Sequence, residues 1–307
     1  AIGNLDAPTY LGGSHKRPVS GSHRRETGVS GAKMFRLLLL ALSCLESTVF
    51  MASVSISRSK PVGIVGGQCT PPGKWPWQVS LRMYSYEVNS WVHICGGSII
   101  HPQWILTAAH CIQSQDADPA VYRVQVGEVY LYKEQELLNI SRIIIHPDYN
   151  DVSKRFDLAL MQLTALLVTS TNVSPVSLPK DSSTFDSTDQ CWLVGWGNLL
   201  QRVPLQPPYQ LHEVKIPIQD NKSCKRAYRK KSSDEHKAVA IFDDMLCAGT
   251  SGRGPCFGDS GGPLVCWKSN KWIQVGVVSK GIDCSNNLPS IFSRVQSSLA
   301  WIHQHIQ

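Results

Sequence analysis

Gly258-Asp259-Ser260-Gly261-Gly262-Pro263 is the stretch from which the rest of the chain is read. A serine between glycines puts a hydroxyl on an open turn. The missing side chains let the backbone bend sharply and let another molecule's carbonyl come close. Serine alone is a poor nucleophile: it needs a base, and the base needs a third group to orient it. Candidates for both lie upstream. His110 stands in Leu106-Thr107-Ala108-Ala109-His110-Cys111, and Asp157 in Phe156-Asp157-Leu158-Ala159-Leu160. His, Asp, Ser is one of the chain orders in which such a constellation occurs. Taken singly, the three read as a Gly-Ser turn, a histidine at a core edge and an aspartate at a strand end.

Outward from this stretch, the sequence is a series of short apolar runs broken by turns. The runs are Val79-Ser80-Leu81, Ser98-Ile99-Ile100, Tyr122 to Val126, Ile143-Ile144-Ile145, Cys191 to Val194 and Trp272 to Val278. Short strands at such spacing predict an all-β sandwich or barrel. At the C-terminus the period changes: Val295, Leu299, Ile302 and Ile306 recur at helical spacing and predict a closing amphipathic helix.

The 307 residues, 42% of them hydrophobic, suffice for one large core or two small ones. The net charge of +7 is unevenly spread. Residues 1–63 hold eight Lys/Arg against three Asp/Glu, leaving 22 against 20 in the remainder. A nearly neutral remainder gives a nucleic-acid role little support. Residues 1–33, rich in Gly, Ser, His and Arg and without periodicity, read as a disordered or upstream extension. Met34-Phe35-Arg36 leads into the apolar run Leu37 to Leu45, so residues 34–52 read as a secretory signal, too short for a membrane span. Secretion to the extracellular space is the expectation.

The ten cysteines include no CxxC pair, and Cys247/Cys256 and Cys256/Cys266 lack zinc-type spacing. Disulfides in an oxidising compartment fit better than metal, and no cofactor is expected. Asn139-Ile140-Ser141, Asn172-Val173-Ser174 and Asn221-Lys222-Ser223 are glycosylation sequons.

Further markers are Ile64-Val65-Gly66-Gly67, Trp75 to Leu81, Cys95-Gly96-Gly97-Ser98 and Gly195-Trp196-Gly197. Together with the His110 and Ser260 stretches, and in this order, they resemble the chymotrypsin family of serine proteases. The likeness is greatest to its mast-cell tryptases and implantation serine proteinases and runs from Ile64 to about Gln307. The resemblance implies a chymotrypsin-like fold of two packed six-stranded antiparallel β-barrels with a C-terminal helix. It makes residues 53–63 a propeptide and 64–307 the protease domain. In it Ser260 is the nucleophile, His110 the base and then the acid, and Asp157 the orienting carboxylate. The N–H groups of Gly258 and Ser260 form the oxyanion hole. Ser279 hydrogen-bonds Asp157, and Asp259 pairs with the α-amino group that propeptide cleavage creates at Ile64. Four disulfides follow from the same resemblance: Cys95–Cys111, Cys191–Cys266, Cys224–Cys247 and Cys256–Cys284. Cys44 falls in the signal, and Cys69 is left over.

The chain departs from the family's trypsin-like branch in the substrate pocket. Gly254, followed by Pro255, stands where that branch has an aspartate that meets substrate Arg or Lys. Lys280 stands in place of the usual tryptophan after Ser279. Gly281 is kept, and Ser290 replaces a glycine on the opposite wall. Arg253 adds positive charge near the pocket base. The residue before Ile64 is Gly63 rather than Arg or Lys. Lys222, Lys225, Arg226 and Arg229 share a helical face, followed by Lys230 and Lys231. The face reads as a solvated surface or as one for a heparin-like polyanion, as in tryptases, which are also oligomers.

The expected activity is hydrolysis of peptide bonds in protein or peptide substrates through an acyl-enzyme. The altered pocket leaves a second reading, a secreted binding protein on a catalytically impaired protease scaffold. Gly258 to Gly262 also fits the G-x-S-x-G turn of α/β-hydrolases. That fold needs its acid and histidine after the serine, where only Asp283, His303 and His305 stand without a strand–helix alternation.

Overall fold

A computed structural model describes residues 64–113, 118–134, 136–232, 239–281, 284 and 288–306. The expected extension, signal and propeptide lie outside them. The chain divides into units 1–56 and 57–307, and every described residue belongs to the second.

In chain order the strands are β1 (Gln68–Cys69), β2 (Gln78–Ser85), β3 (Ser90–His101), β4 (Trp104–Thr107), β5 (Tyr122–Val126), β6 (Leu138–Ile145) and β7 (Ala159–Leu163). They continue with β8 (Gln190–Gly195), β9 (His212–Lys215), β10 (Ile218–Gln219), β11 (Met245–Ala248), β12 (Pro263–Lys268), β13 (Lys271–Lys280) and β14 (Ser290–Arg294). Helix α1 (Asn221–Lys231) follows β10, and α2 (Leu299–His305) ends the described chain.

Strands β2-β3-β4-β7-β6-β5 close into a six-stranded antiparallel barrel. Alternation dictates its filling: on β5, Tyr122 and Val124 are fully buried, with Leu81, Ile99, Leu106 and Leu160 around them. The other strands form a curled sheet in the order β1-β9-β8-β12-β13-β14-β11-β10. It exceeds the six strands expected because the two-residue strands β1 and β10 extend its two ends. Leu193, Val214, Leu246, Leu264 and Phe292 fill it. This is the expected all-β, chymotrypsin-like architecture.

The C-terminal periodicity appears as a 3₁₀ turn over Val295–Ser298 leading into α2, with Val295, Leu299 and Ile302 buried. Asp220 caps α1 by accepting the Ser223 N–H at 2.9 Å. On α1, Cys224 and Tyr228 are buried four residues apart, so the intervening Lys and Arg are turned outward. Disulfides join Cys95–Cys111, Cys191–Cys266, Cys224–Cys247 and Cys256–Cys284, while Cys69 is free. Of the three sequon asparagines, Asn221 has its amide engaged. Its amide Nδ2 donates to the Phe242 and Met245 carbonyls at 3.3 and 3.1 Å, and a glycan on that nitrogen would displace at least one of these bonds. Asn139 and Asn172 are exposed.

Candidate active site

His110 lies in a single 3₁₀ turn, Ala109–Cys111, that follows β4 directly. The Cys111–Cys95 disulfide ties this turn to β3. Asp157 lies just before β7, in a loop anchored by the nearly buried Asp244, which accepts the Arg155 Nε–H and the Phe156 N–H at 3.0 and 2.9 Å. Asp157 itself is fully buried. Its Oδ1 accepts the His110 backbone N–H at 2.9 Å, and its Oδ2 accepts from His110 Nδ1 at 2.7 Å. Ser279 Oγ donates to the same Oδ2 at 2.6 Å, and Ser293 Oγ donates to the Asp157 carbonyl at 3.0 Å. A carboxylate facing Nδ1 puts the imidazole proton on that nitrogen and leaves Nε2 free to take one.

The Ser260 loop packs on the same turn. The Ser260 carbonyl accepts the Gly96 N–H at 2.7 Å, next to Cys95. Gly261, at φ +75°, has no room for a side chain: a Cβ there would lie 2.2 Å from Thr107 Oγ1 and 3.2 Å from the Ala108 nitrogen. The loop is therefore pressed against the two residues that lead into the His110 turn. Among the described residues no hydrogen bond joins Ser260 Oγ to His110. Such catalytic contacts commonly tighten only when substrate is bound.

Within the loop three amides are paired. Asp259, Gly261 and Gly262 donate to the carbonyls of Cys256, Val278 and Asp259 at 3.0, 2.9 and 3.0 Å. Among the described residues, the Gly258 and Ser260 N–H groups have no acceptor. The Phe257 carbonyl accepts the Asn198 N–H at 2.7 Å, and a planar trans peptide then turns the Gly258 N–H the opposite way.

His93, which sequence reasoning missed, fixes the next carbonyl. Its Nε2 lies 2.9 Å from the Gly258 oxygen, an acceptor only, so Nε2 donates. Nδ1 then accepts from Ser80 Oγ at 2.8 Å, and Ser80 Oγ in turn accepts from Arg82 Nε at 2.9 Å. Burial, with Arg82 adding like-charge repulsion against the bond to Gly258, holds His93 down at about 4. It is therefore neutral at pH 7, as the direction of these bonds requires.

Asp259 points away from Ser260. It is fully buried, and its carboxylate accepts two backbone N–H groups, Gly197 at 2.8 Å and Cys256 at 2.9 Å. Burial outweighs those two bonds and pushes its pKa up to about 7. Ile64 is also fully buried, packed with Leu193, Leu264 and Phe292, at φ +48°.

The pocket residues converge on Ser290. Its Oγ lies 3.3 Å from where a Cβ on Gly254 would stand and 3.8 Å from the same point on Gly281. Pro255 links Gly254 to Cys256, whose disulfide reaches Cys284. Two expectations change here. Arg253 is exposed, with its Cγ beside Gly66, so its charge is left to solvent. Lys280 also turns away: Nζ donates to the Ser153 carbonyl at 3.0 Å, across the loop that carries Asp157. Burial lowers the pKa of Lys280 and the nearby Asp157 opposes that. Phe257, 63% exposed and next to Gly258, adds apolar surface at the rim that the sequence reading passed over.

A buried carboxylate with no cation beside it among the described residues gives a measurable pH effect. An unfolded Asp ionises near about 4. With its folded pKa at about 7, Asp259 contributes stability that is complete below pH 4 and is lost as pH rises through 7. The difference is on the order of 4 kcal/mol. Urea unfolding of the chain uncut before Ile64 should therefore lose that much more stability between pH 4 and pH 8 than an Asp259→Asn variant. Equal losses in the two proteins would mean that the charge is already compensated.

The family model for trypsin matches residues 64–302. Mouse (Mus musculus) tryptase is 47% identical over 275 residues, which cover 89% of this chain and 98% of that protein. With the barrel, the curled sheet and the buried Asp157 on His110, these likenesses place the chain in the trypsin family of serine proteases.

Proposed function

We propose that the chain is an endopeptidase that cleaves peptide bonds through an acyl-enzyme on Ser260, and that its primary pocket does not select Arg or Lys. The observation that carries this reading is the fully buried Asp157 carboxylate holding His110 by its backbone N–H and its Nδ1. With Nδ1 so held, Nε2 takes the Ser260 proton as Oγ attacks the substrate carbonyl, and later passes it to the leaving amine. The unpaired Gly258 and Ser260 N–H groups receive the oxyanion, each worth about 3 kcal/mol.

Asp259 and Ile64 form the activation switch. Cleavage before Ile64 frees an α-amino group to pair with the buried Asp259 carboxylate, and pairing removes the penalty of the lone charge. Residues 53–63 are the propeptide, and residues 34–52 direct secretion. Asn139 and Asn172 are the glycan acceptors. The basic face of α1 lines a cleft of about 520 Å³ with Val239 and Ile241, a surface suited to a sulfated polyanion. Assembly into oligomers follows by likeness to tryptases. Among the described residues no helix is long and apolar enough to cross a membrane.

The test is labelling by a fluorophosphonate of protein whose N-terminus has been verified as Ile64. Labelling lost in Ser260→Ala and in the uncut chain supports the reading. Correctly cut protein that neither labels nor cleaves any peptide is a non-catalytic homologue, and the proposal fails.

A further inference from the structure

Cys69 belongs neither to the active site nor to any disulfide, and it is exposed. It lies on β1, at one end of the curled sheet, and its partner across the ladder on β9 is His212. His212 is only 3% exposed. Its Nδ1 lies 2.6 Å from the Gln210 carbonyl oxygen, an acceptor only, so Nδ1 carries the ring proton. The neutral ring then presents a bare Nε2 at 3.4 Å from Cys69 Sγ. Among the described residues that sulfur is the only hydrogen-bond partner of Nε2. The pair thus joins an exposed nucleophile to a buried, oriented base, the arrangement that activates a thiol.

The surroundings leave the pair to itself. Glu213, next to His212, takes donors from Lys74 at 2.6 Å, Trp75 at 2.6 Å and Gln68 at 3.1 Å. Its charge and that of Lys74 are matched to each other. Burial lowers the His212 pKa, so the ring stays neutral at pH 7 and keeps its Nε2 lone pair toward the sulfur. The thiol lies in a two-strand ladder, continued by Thr70 N–H to the Leu211 carbonyl at 2.9 Å, rather than on a projecting loop. A small reagent reaches a sulfur so placed more readily than a second folded chain does.

We infer that Cys69 and His212 form a thiol–disulfide exchange site for a low-molecular-weight disulfide of the glutathione class. His212 Nε2 removes the Sγ proton as the Cys69 sulfur attacks one sulfur of the reagent. The reagent's S–S bond breaks, a mixed disulfide to Cys69 forms, and the departing thiolate takes the proton from His212. One thiol and one disulfide give one mixed disulfide and one thiol, so electrons and protons balance. The inference does not rest on the protease reading.

The experiment uses the full chain carrying Ser260→Ala, so that proteolysis cannot intervene. It is incubated with glutathione disulfide from pH 6 to pH 9.5 and followed by intact mass and peptide mapping. A single glutathione adduct at Cys69 is expected, absent in Cys69→Ser. His212→Gln should slow the reaction by up to about 30-fold at pH 7, where about 3% of an unassisted thiol is ionised. At pH 9.5, above the ordinary thiol pKa of about 8.5, the two proteins should agree within about threefold. A slowing that is equal at every pH, or absent, overturns the base assignment, and a disulfide-linked dimer without adduct overturns the small-molecule assignment. The parent's own profile decides the matter if His212→Gln does not fold. Base-assisted exchange stays level between pH 7.5 and 6.5, whereas an unassisted thiol slows about tenfold per pH unit.

Discussion

Asparagine in place of Asp157 should lower kcat by about 10⁴-fold, the size known for serine proteases of this design. All three groups that meet the Asp157 carboxylate are donors: the His110 N–H, the His110 Nδ1–H and the Ser279 hydroxyl. A carboxylate accepts them all, but an asparagine side chain has one oxygen and one NH₂. If its oxygen stays on the His110 N–H, its NH₂ faces Nδ1, which must give up its proton. The ring proton moves to Nε2, and Nε2 can no longer accept from Ser260. The cost is chemical rather than structural, so the thermal midpoint should fall far less than activity does. Ser279→Ala removes only one of the donors and should cost a few-fold at most. The assay is peptide hydrolysis by protein cut at Ile64, with Ser260→Ala as the floor. A loss of less than tenfold in Asp157→Asn would falsify the role given to His110.

Peptides with Arg or Lys before the scissile bond should be cut at least about 100-fold more slowly than those with a small or medium apolar residue there. A substrate cation entering the pocket loses its hydration and needs a partner charge in return. Gly254 offers none, and Ser290 Oγ, the polar atom that faces it, is neutral. Arg253 is exposed, and the Lys280 ammonium is held away by the Ser153 carbonyl, so repulsion is secondary. The discrimination is therefore a desolvation effect, and among apolar side chains selectivity should be shallow, about 1–3 kcal/mol per methylene-sized change. Lys280 lies beside the Asp157 loop, and its charge favours an acidic substrate residue farther from the cut bond. A positional peptide library reads both effects. Dominant cleavage after Arg or Lys, abolished by Ser260→Ala, would refute the pocket reading.

Most of the fold could be read from the sequence because strand periodicity is local. Tyr122 to Val126 alternates apolar and polar in the chain and β5 buries all three apolar positions, although Gln125 is buried too, and the C-terminal apolar spacing marks α2 in the same way. Strands β1 and β10 were out of reach because two residues carry no period. The pairing of His110 with Asp157 was legible because both stand in marked sequence contexts. His93 was not: Trp91-Val92-His93-Ile94 has no such mark, and its contact with Gly258 spans 165 residues. The directions of Arg253 and Lys280 were equally hidden, because a charged side chain's residue type says nothing about where it is anchored. The Asn221 sequon is silent for the same reason: its three residues do not record that the amide turns inward.

Ile64 holds a left-handed backbone conformation, φ +48°, that a β-branched residue ordinarily avoids. Much of the strain comes from the preceding carbonyl, which in the uncut chain belongs to Gly63. Strain of this kind is worth on the order of 1–3 kcal/mol. Hydrolysis of the Gly63–Ile64 bond removes that carbonyl and leaves the torsion free to relax. In the uncut chain the Ile64 side chain is already buried among Leu193, Leu264 and Phe292. Before hydrolysis the strain works against the seated segment, and after it the opposition is gone. The seated-to-unseated ratio should rise about five- to 150-fold from this source alone, before any charge pairing is added. A cut at this bond would therefore act as a ratchet, favouring the seated terminus over its withdrawal.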